Sequence, residues 1–91
     1  MKRAIITVVG KDSVGIIAKV CTYLAEKQIN ILDISQTIVQ GYFNMMMVVD
    51  LVQMNGDFAD VADGLAKLGE EQLGVKAQIQ REEIFDKMHR I

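Results

Sequence analysis

The amino-acid sequence predicts an α+β domain in which two helices cover one face of a four-stranded antiparallel sheet. Four stretches alternate apolar and polar residues with the period of a strand, and two carry apolar residues with the spacing of one helix face. Their order is strand, helix, strand, strand, helix, strand, which is the βαββαβ order of a ferredoxin-like sandwich. A chain of 91 residues has a small core, so association with a partner chain would add to its stability.

The first strand is predicted over residues 3–9 and the first helix from Val14 onward. Alternate strand residues would face the core, namely Ala4, Ile6 and Val8. Apolar residues of the helix recur on one face, namely Val14, Ile17, Ala18, Cys21, Leu24 and Ala25. Cys21 is interpreted as core filling, because free cysteine is among the most buried residue types.

Two further strands are predicted on either side of a turn at Gly41. In residues 30–40, apolar side chains (Leu32, Ile34, Ile38) alternate with polar ones (Asp33, Ser35, Thr37), so one face is polar. Residues 42–52 present an apolar face to the core, made of Phe43, Met45, Met47, Val49 and Leu51. The opposite face of the two central strands keeps an apolar group of Ile5, Val9, Met46 and Val48. Such a group rarely stays bare, so we expect the C-terminal segment to cover it, either within one chain or by reaching onto a neighbouring chain.

The second helix is predicted to begin after Asp57, which can cap it, and to end at Gly69. Its apolar stripe consists of Phe58, Val61, Ala62, Leu65 and Leu68. Residues 75–80 form the fourth strand, with Val75, Ala77 and Ile79 inward. Residues 82–91 are predicted to form a helical extension with Ile84, Met88 and Ile91 on one side and Phe85 adjoining. We expect residues 1–91 to be a single domain that includes this extension.

Composition and motif spacing exclude several classes of protein. The formal net charge of -2 gives no reason to expect nucleic-acid binding, and no apolar run approaches the ~20 residues of a membrane span. A single cysteine can form no internal disulfide or cysteine-rich metal site, which suits the cytoplasm. Gly10 and Gly15 have the spacing of a phosphate-binding loop, but Ile16 and Ile17 stand where that loop needs a lysine and a hydroxyl.

No set of residues predicts catalysis. The sequence contains no serine, histidine and acid arrangement typical of a hydrolase, and His89, the only histidine, is interpreted as a surface group near a helix C-terminus. The three methionines at 45–47 are interpreted as strand residues rather than metal ligands. We therefore expect a protein that is not an enzyme and that has no catalytic residues, metal or cofactor.

Residues 8–36, with the sequence VVGKDSVGIIAKVCTYLAEKQINILDISQ, resemble the first half of ACT domains. The shared features are a strand that ends in a GKD loop, the helix start GIIAKV and the strand start NILDISQ. The later elements resemble the small stand-alone ACT proteins of bacteria and archaea, related to the glycine-cleavage repressor type. This resemblance implies a regulatory protein that binds an amino acid or similar small ligand at the interface of a homodimer or larger oligomer, and that signals to a regulated protein partner.

The resemblance implies a ligand site formed by Asp12, Ser13, Val14, Gly15, Asn30 and Ile31. A ligand carboxylate at the N-terminus of the first helix would meet unpaired N–H groups, and a side chain at position 15 would obstruct it. Tight packing of the helix against the second strand explains this glycine equally well. The amide of Asn30 could bind both charged groups of an amino acid, or Asn30 could be a left-handed turn residue. Asp12 could contact the ligand or cap the helix.

Two functions therefore remain open. The first is a ligand-sensing regulator, favoured by the polar loop and by Asn30. The second is a ligand-free oligomerisation or protein-interaction module on the ACT scaffold. The apolar outer face of the sheet favours the second function or is compatible with both.

Overall fold

A computed structural model of the chain describes residues 2–82. The elements are β1 (Arg3–Lys11), α1 (Ile16–Glu26), β2 (Asn30–Val39), β3 (Tyr42–Asp50), α2 (Phe58–Lys67), a π-helix (Leu68–Leu73) and β4 (Val75–Arg81). The strands form one antiparallel sheet in the order β2-β3-β1-β4, which confirms the ferredoxin-like fold. The predicted C-terminal helix lies outside the described residues, apart from Glu82.

The core lies between the sheet and the two helices. Every second residue of β1, β3 and β4 is buried, as predicted, and these residues are Ala4, Ile6, Val8, Phe43, Met45, Met47, Val49, Val75, Ala77 and Ile79. Cross-strand register brings them together, since Ile6 pairs with Met47 on one side and with Ile79 on the other. Among the described residues, the buried core contains no polar or charged residue. Burial of apolar area is therefore the main stabilising term of this fold.

The buried face of α1 differs from the predicted stripe. The helix begins at Ile16, and its buried residues are Ile16, Val20 and Leu24. Ile17 is 36% exposed and Val14 is fully exposed. Two neighbouring faces of the helix carry apolar residues at helical spacing, so periodicity could not choose between them. The face with the larger side chains packs on the sheet, and Cys21 is half-buried at the edge of the core.

The second helical segment extends beyond its predicted end. Val61 and Leu65 are buried as expected, but Gly69 does not end the segment, which continues as the π-helix to Leu73 and ends at Gly74 with φ of 65°. A Cβ atom at Gly69 would lie 2.9 Å from the carbonyl oxygen of Val75. Glycine is therefore needed at position 69 for close packing on β4, whereas Gly74 supplies the left-handed residue that ends the helical segment.

Strand β2 lies at the edge of the sheet and is exposed on both faces. A β-bulge between Ile31 and Asp33 leaves Leu32 without a paired residue on β3, and residues 32–39 are all exposed. Ile34 pairs with Met47 and Ile38 with Phe43, which places both isoleucines on the helix side of the sheet. The predicted alternation is present, but no buried core residue comes from β2. This strand is an open, partly apolar edge within the described part of the chain.

The opposite face of the central strands carries the predicted apolar group. Together with Thr7, which lies between them, these residues form a strip that we call the outer strip, composed of Ile5, Thr7, Val9, Met46 and Val48. Val9 and Met46 are each 49% exposed, and the other three residues are half-buried. The helices of residues 2–82 are too short or too polar to cross a membrane.

Candidate functional site

The loop between β1 and α1 forms one wall of a cavity of about 270 Å³. The cavity is lined by Asp12, Ser13, Gly15, Ile16, Ile17 and Ala18, by Gln36 and Ile38 of β2, and by Phe43 of β3. The backbone N–H of Asp12 donates to the carbonyl oxygen of Gly41 at 2.9 Å, which ties the loop to the β2–β3 turn. The cavity therefore joins a polar loop, a helix start and an apolar strand end.

Helix α1 begins without a side-chain cap. Its N-cap is Gly15, no side chain bonds to the cap, and the first turn contains no acidic residue. The prediction that Asp12 caps this helix is wrong, because a turn at Val14 and Gly15 separates Asp12 from the start of α1. The first backbone N–H groups of a helix have no partner one turn earlier, and the dipole makes this end electropositive. The start of α1 is thus suited to an anionic group.

Gly15 is required by its backbone conformation. Its φ is 90° and its ψ is 3°, in the left-handed region that side chains disfavour. A Cβ atom at this position would meet nothing within 4 Å. The interpretation that Gly15 allows tight packing against the second strand is therefore wrong. The free space beside Gly15 leaves the backbone accessible from the cavity.

Asn30 and Ile31 lie at the other end of the sheet. Asn30 pairs with Asp50, whereas Lys11, which precedes the loop, pairs with Tyr42. Tyr42 and Asp50 are eight residues apart on β3 (50 − 42), or about 27 Å at ~3.4 Å per residue. The interpretation of Asn30 as a left-handed turn residue is also wrong. The left-handed residue after α1 is Gln28, with φ of 59°, and Asn30 begins the extended strand.

Asn30 lines a separate polar cavity of about 410 Å³. Its other lining residues are Ala25, Gln28, Ile29, Asp50, Val52 and Gln53. Ile31 packs partly buried against the core, and Val14 lines neither this cavity nor the one at the loop. Within one chain, the residues predicted to bind ligand thus fall into two groups, with Asp12, Ser13 and Gly15 at one end of the sheet and Asn30 at the other.

Six residues of the loop cavity were not predicted from the sequence, namely Ile16, Ile17, Ala18, Gln36, Ile38 and Phe43. One signal was available. The sequence has more apolar residues in α1 than one buried face can hold, so some of them had to lie on an exposed face. Gln36 and Ile38 lie near the start of α1 because of the order of the strands in the sheet. That order cannot be predicted from the sequence of β2 or of α1 alone.

A larger cavity of about 510 Å³ lies between α1 and the second helical segment. Its charged lining residues have both signs, namely Lys19, Glu26, Lys67 and Glu71. The Tyr23 hydroxyl closes one side by donating to the carbonyl oxygen of Val61 at 2.8 Å, and burial raises the pKa of Tyr23. Within residues 2–82, no group of three histidine, cysteine or acidic residues is arranged to hold a metal ion.

Comparison with known proteins shows similarity along nearly all of the described residues. The sequence model of the ACT domain matches residues 2–80. A UPF0237 protein of Bifidobacterium longum is 59% identical over 91 residues, which is 100% of both chains. The structure of an ACT domain protein from Streptococcus pneumoniae matches with a TM-score of 0.81 and 45% identity, over 93% of this chain and 94% of that one. The regulatory subunit of aspartate kinase from Thermus thermophilus, in its ligand-free form, matches with a TM-score of 0.64 and 29% identity, over 88% of this chain and 51% of that one.

Proposed function

Because this chain belongs to the ACT domain family, we propose that it is a regulatory protein that binds a free amino acid at the N-terminus of α1. ACT domains are typically small-molecule-binding regulatory domains. In this proposal the protein has no catalytic role, and its ligand state is passed to a regulated protein partner.

The uncapped start of α1, which opens into the loop cavity, is the observation that carries the proposal. A ligand carboxylate would accept hydrogen bonds from the first N–H groups of the helix and would meet its positive end. The Asp12 carboxylate lies in the same loop and is suited to an ammonium group. Ile17 and Ile38 offer apolar contacts to a side chain. The volume of about 270 Å³ is below the ~300–1,000 Å³ of typical drug-sized sites, which suits a small metabolite.

In this proposal a second copy of the chain completes the site by pairing along the open edge of β2. A two-fold antiparallel pair centred on Gln36 puts Ile34 opposite the partner's Ile38 and Ser35 opposite the partner's Thr37. Asp33, the only charged residue of β2, then faces the partner's Val39 rather than a second carboxylate. Apolar pairs meet, like charges stay apart, and the edge strand is covered.

This pairing would bring the two groups of predicted residues together. Residue numbers that face each other across the pair add to 72, twice 36, so the partner's Asp33 faces Val39, which pairs with Tyr42. The partner's Asn30 then lies about 10 Å beyond that level, at the loop end of the sheet. Tyr42 adjoins Gly41, whose carbonyl oxygen holds the N–H of Asp12. The loop of one chain and the partner's Asn30 would then line one site, with two such sites in each dimer.

A thermal-shift screen of the full chain against the twenty amino acids tests the proposal. A ligand at about 100 times its Kd stabilises by roughly 2.7 kcal/mol, which for a domain of this size is about 10–20 °C in Tm. Ala18→Glu should remove the shift, because a carboxylate in the first turn of α1 would compete for the helix end and fill the cavity. The matched control is Ala59→Glu in the first turn of α2, which should respond as the parent does.

Two outcomes would overturn the proposal. In the first, none of the twenty amino acids raises Tm. In the second, an amino acid raises Tm but does so equally in Ala18→Glu and in the parent, so that its site is not the start of α1.

The ligand-free interaction module remains the second candidate function. It is favoured by the open edge of β2, where Ile38 is 57% exposed, and by the outer strip. A stable homo-oligomer that responds to none of the ligands in the screen would support this function instead.

A further inference from the structure

We propose that the outer strip is the docking site of the chain's own last nine residues, 83–91. This inference does not depend on the proposed function, because it concerns the sheet face opposite the helices. The proposed occupant, residues 83–91, belongs to the same chain as the outer strip, and three observations support this assignment.

The first observation is the shape of the outer strip. It is two strands wide, since Ile5 pairs with Val48 and Thr7 with Met46, and it runs to Val9, about 14 Å from Ile5 at ~3.4 Å per residue. Polar residues flank it on both sides, with Lys76, Gln78 and Gln80 on β4 and Asp33, Ser35 and Thr37 on β2. With strands ~4.8 Å apart, the strip measures roughly 10 by 14 Å. This is far less than the ~800 Å² per partner of a standard interface, so it suits a short segment better than a second copy.

The second observation is the direction of the chain at the end of β4. Glu82 follows the last strand residue, Arg81, and its carboxylate accepts two hydrogen bonds from the Arg3 guanidinium, the one from Nε at 2.9 Å. Arg3 alternates with Ala4 on β1 and so shares the face of Ile5. The side chain of Glu82, the last described residue, is therefore hydrogen-bonded to a residue of the outer face. That residue, Arg3, precedes Ile5, the first residue of the strip, by two positions on β1.

The third observation is the sequence that follows Glu82. It contains four large apolar residues at the spacing of one helix face, namely Ile84, Phe85, Met88 and Ile91. A helix of nine residues is about 13.5 Å long, which equals the length of the strip within the precision of both figures. The segment thus offers an apolar surface of the required length, starting at the required end.

Nuclear Overhauser contacts in the full chain test this docking directly. We expect the ε-methyl group of Met46 to show contacts with the ring protons of Phe85 or with the methyl groups of Ile84, Met88 or Ile91. The ε-methyl group of Met54, in the loop after β3, serves as the internal control and should show none. In a mixture of labelled and unlabelled chains, contacts between the two kinds of chain should be absent.

A full-length Phe85→Ser variant gives an independent readout. Loss of the ring should uncover Met46 and increase the rate at which peroxide oxidises it, whereas Val52→Ser, an exposed site outside the strip, should not. Contacts seen only between labelled and unlabelled chains would overturn docking in cis. So would the absence of any contact from Met46 to residues 83–91, or an unchanged oxidation rate in Phe85→Ser. No ligand enters either measurement, so failure here is distinct from failure of the amino-acid proposal.

Discussion

At the scale of single residues, Gly15 combines a backbone requirement with a proposed functional one. Its left-handed φ of 90° demands glycine for conformational reasons, and the free space around it leaves room for a ligand. A substitution at position 15 therefore changes folding stability and ligand access together. Ala18 is the better position for testing function, since its helical backbone accepts other side chains.

We predict that Gly15→Ala lowers the free energy of unfolding by about 1–2 kcal/mol, although the added methyl group has no neighbour to strike. The loss arises because an L-residue is strained at this φ. Gly15→Asn is the matched control and should lose less, since asparagine tolerates the left-handed region better. Urea denaturation of the three proteins provides the measurement. An alanine variant as stable as the parent would mean that residue 15 is not left-handed in solution.

The sequence predicted the chemistry of the loop but not the role of each residue in it. Asp12 and Asn30 are residue types that cap helices or occupy turns, yet neither does so here. The position of the helix cap depends on how many residues the chain needs to turn after β1. Asp12, Ser13 and Gly15 are polar or small, so this loop can adopt several conformations. Ser13 and Gly15 lie at the predicted place, whereas Asn30 could be located only from the strand pairing.

At the scale of elements, Tyr23 links α1 to α2. Its hydroxyl bonds to the Val61 carbonyl oxygen, and the ammonium of Lys27 lies 5.6 Å from its ring centroid. On the other helix, a Cβ atom at Gly64 would lie 2.3 Å from the Tyr23 hydroxyl, so the contact requires glycine there. This hydrogen bond joins the two helices beside the core.

We predict that this contact weakens at high pH. Burial raises the pKa of Tyr23 above its ordinary value of 10.0. The unfolded chain therefore loses this proton first, and the stabilisation is complete below pH 10 and is lost as the pH rises through the folded-state pKa. The free energy of unfolding of the parent should fall more steeply as the pH rises above 10 than that of Tyr23→Phe, which retains Tyr42. Parallel curves would show that Tyr23 does not titrate differently on unfolding.

The sequence predicted the strands and helices more completely than it predicted which face of each one is buried. The alternation of apolar residues in β1, β3 and β4 identified their buried sides, because the opposite face of each strand also carries polar residues, such as Arg3, Asn44 and Lys76. In α1 two adjacent faces are apolar, and the face with the larger side chains, made of Ile16, Val20 and Leu24, packs on the sheet. The spacing of apolar residues alone could not distinguish the two faces.

At the scale of the whole molecule, the resemblance to ACT domains seen in residues 8–36 is confirmed by the match over residues 2–80. The order of strands in the sheet explains why the site residues were harder to place. Because β2 lies at the edge and runs antiparallel to β3, its first residue is far from the loop of its own chain. Pairing of two copies through β2 is the arrangement that would reunite them.

We predict that the protein sediments as a dimer at micromolar concentration, at twice the chain mass of 10.2 kDa. Ile38→Lys should shift it to a monomer, because a lysine on an open edge strand opposes pairing with a second edge. Gln78→Lys, at an exposed position on β4 at the opposite edge of the sheet, should leave the dimer intact. A monomeric parent, or a dimer unaffected by Ile38→Lys, would remove β2 as the interface.

Amide chemical-shift mapping tests the shared amino-acid site most directly. The full chain, labelled with ¹⁵N, is titrated with each amino acid that raises Tm, and the shifts are assigned by residue. The largest changes should fall on the amides of residues 13–18 and also on Asn30, although these lie far apart in one chain, because the proposed dimer places the partner's Asn30 at the loop end of the sheet. Changes confined to the cavity around Asn30, or absent from residues 13–18 in every titration, would contradict an amino-acid site at the start of α1.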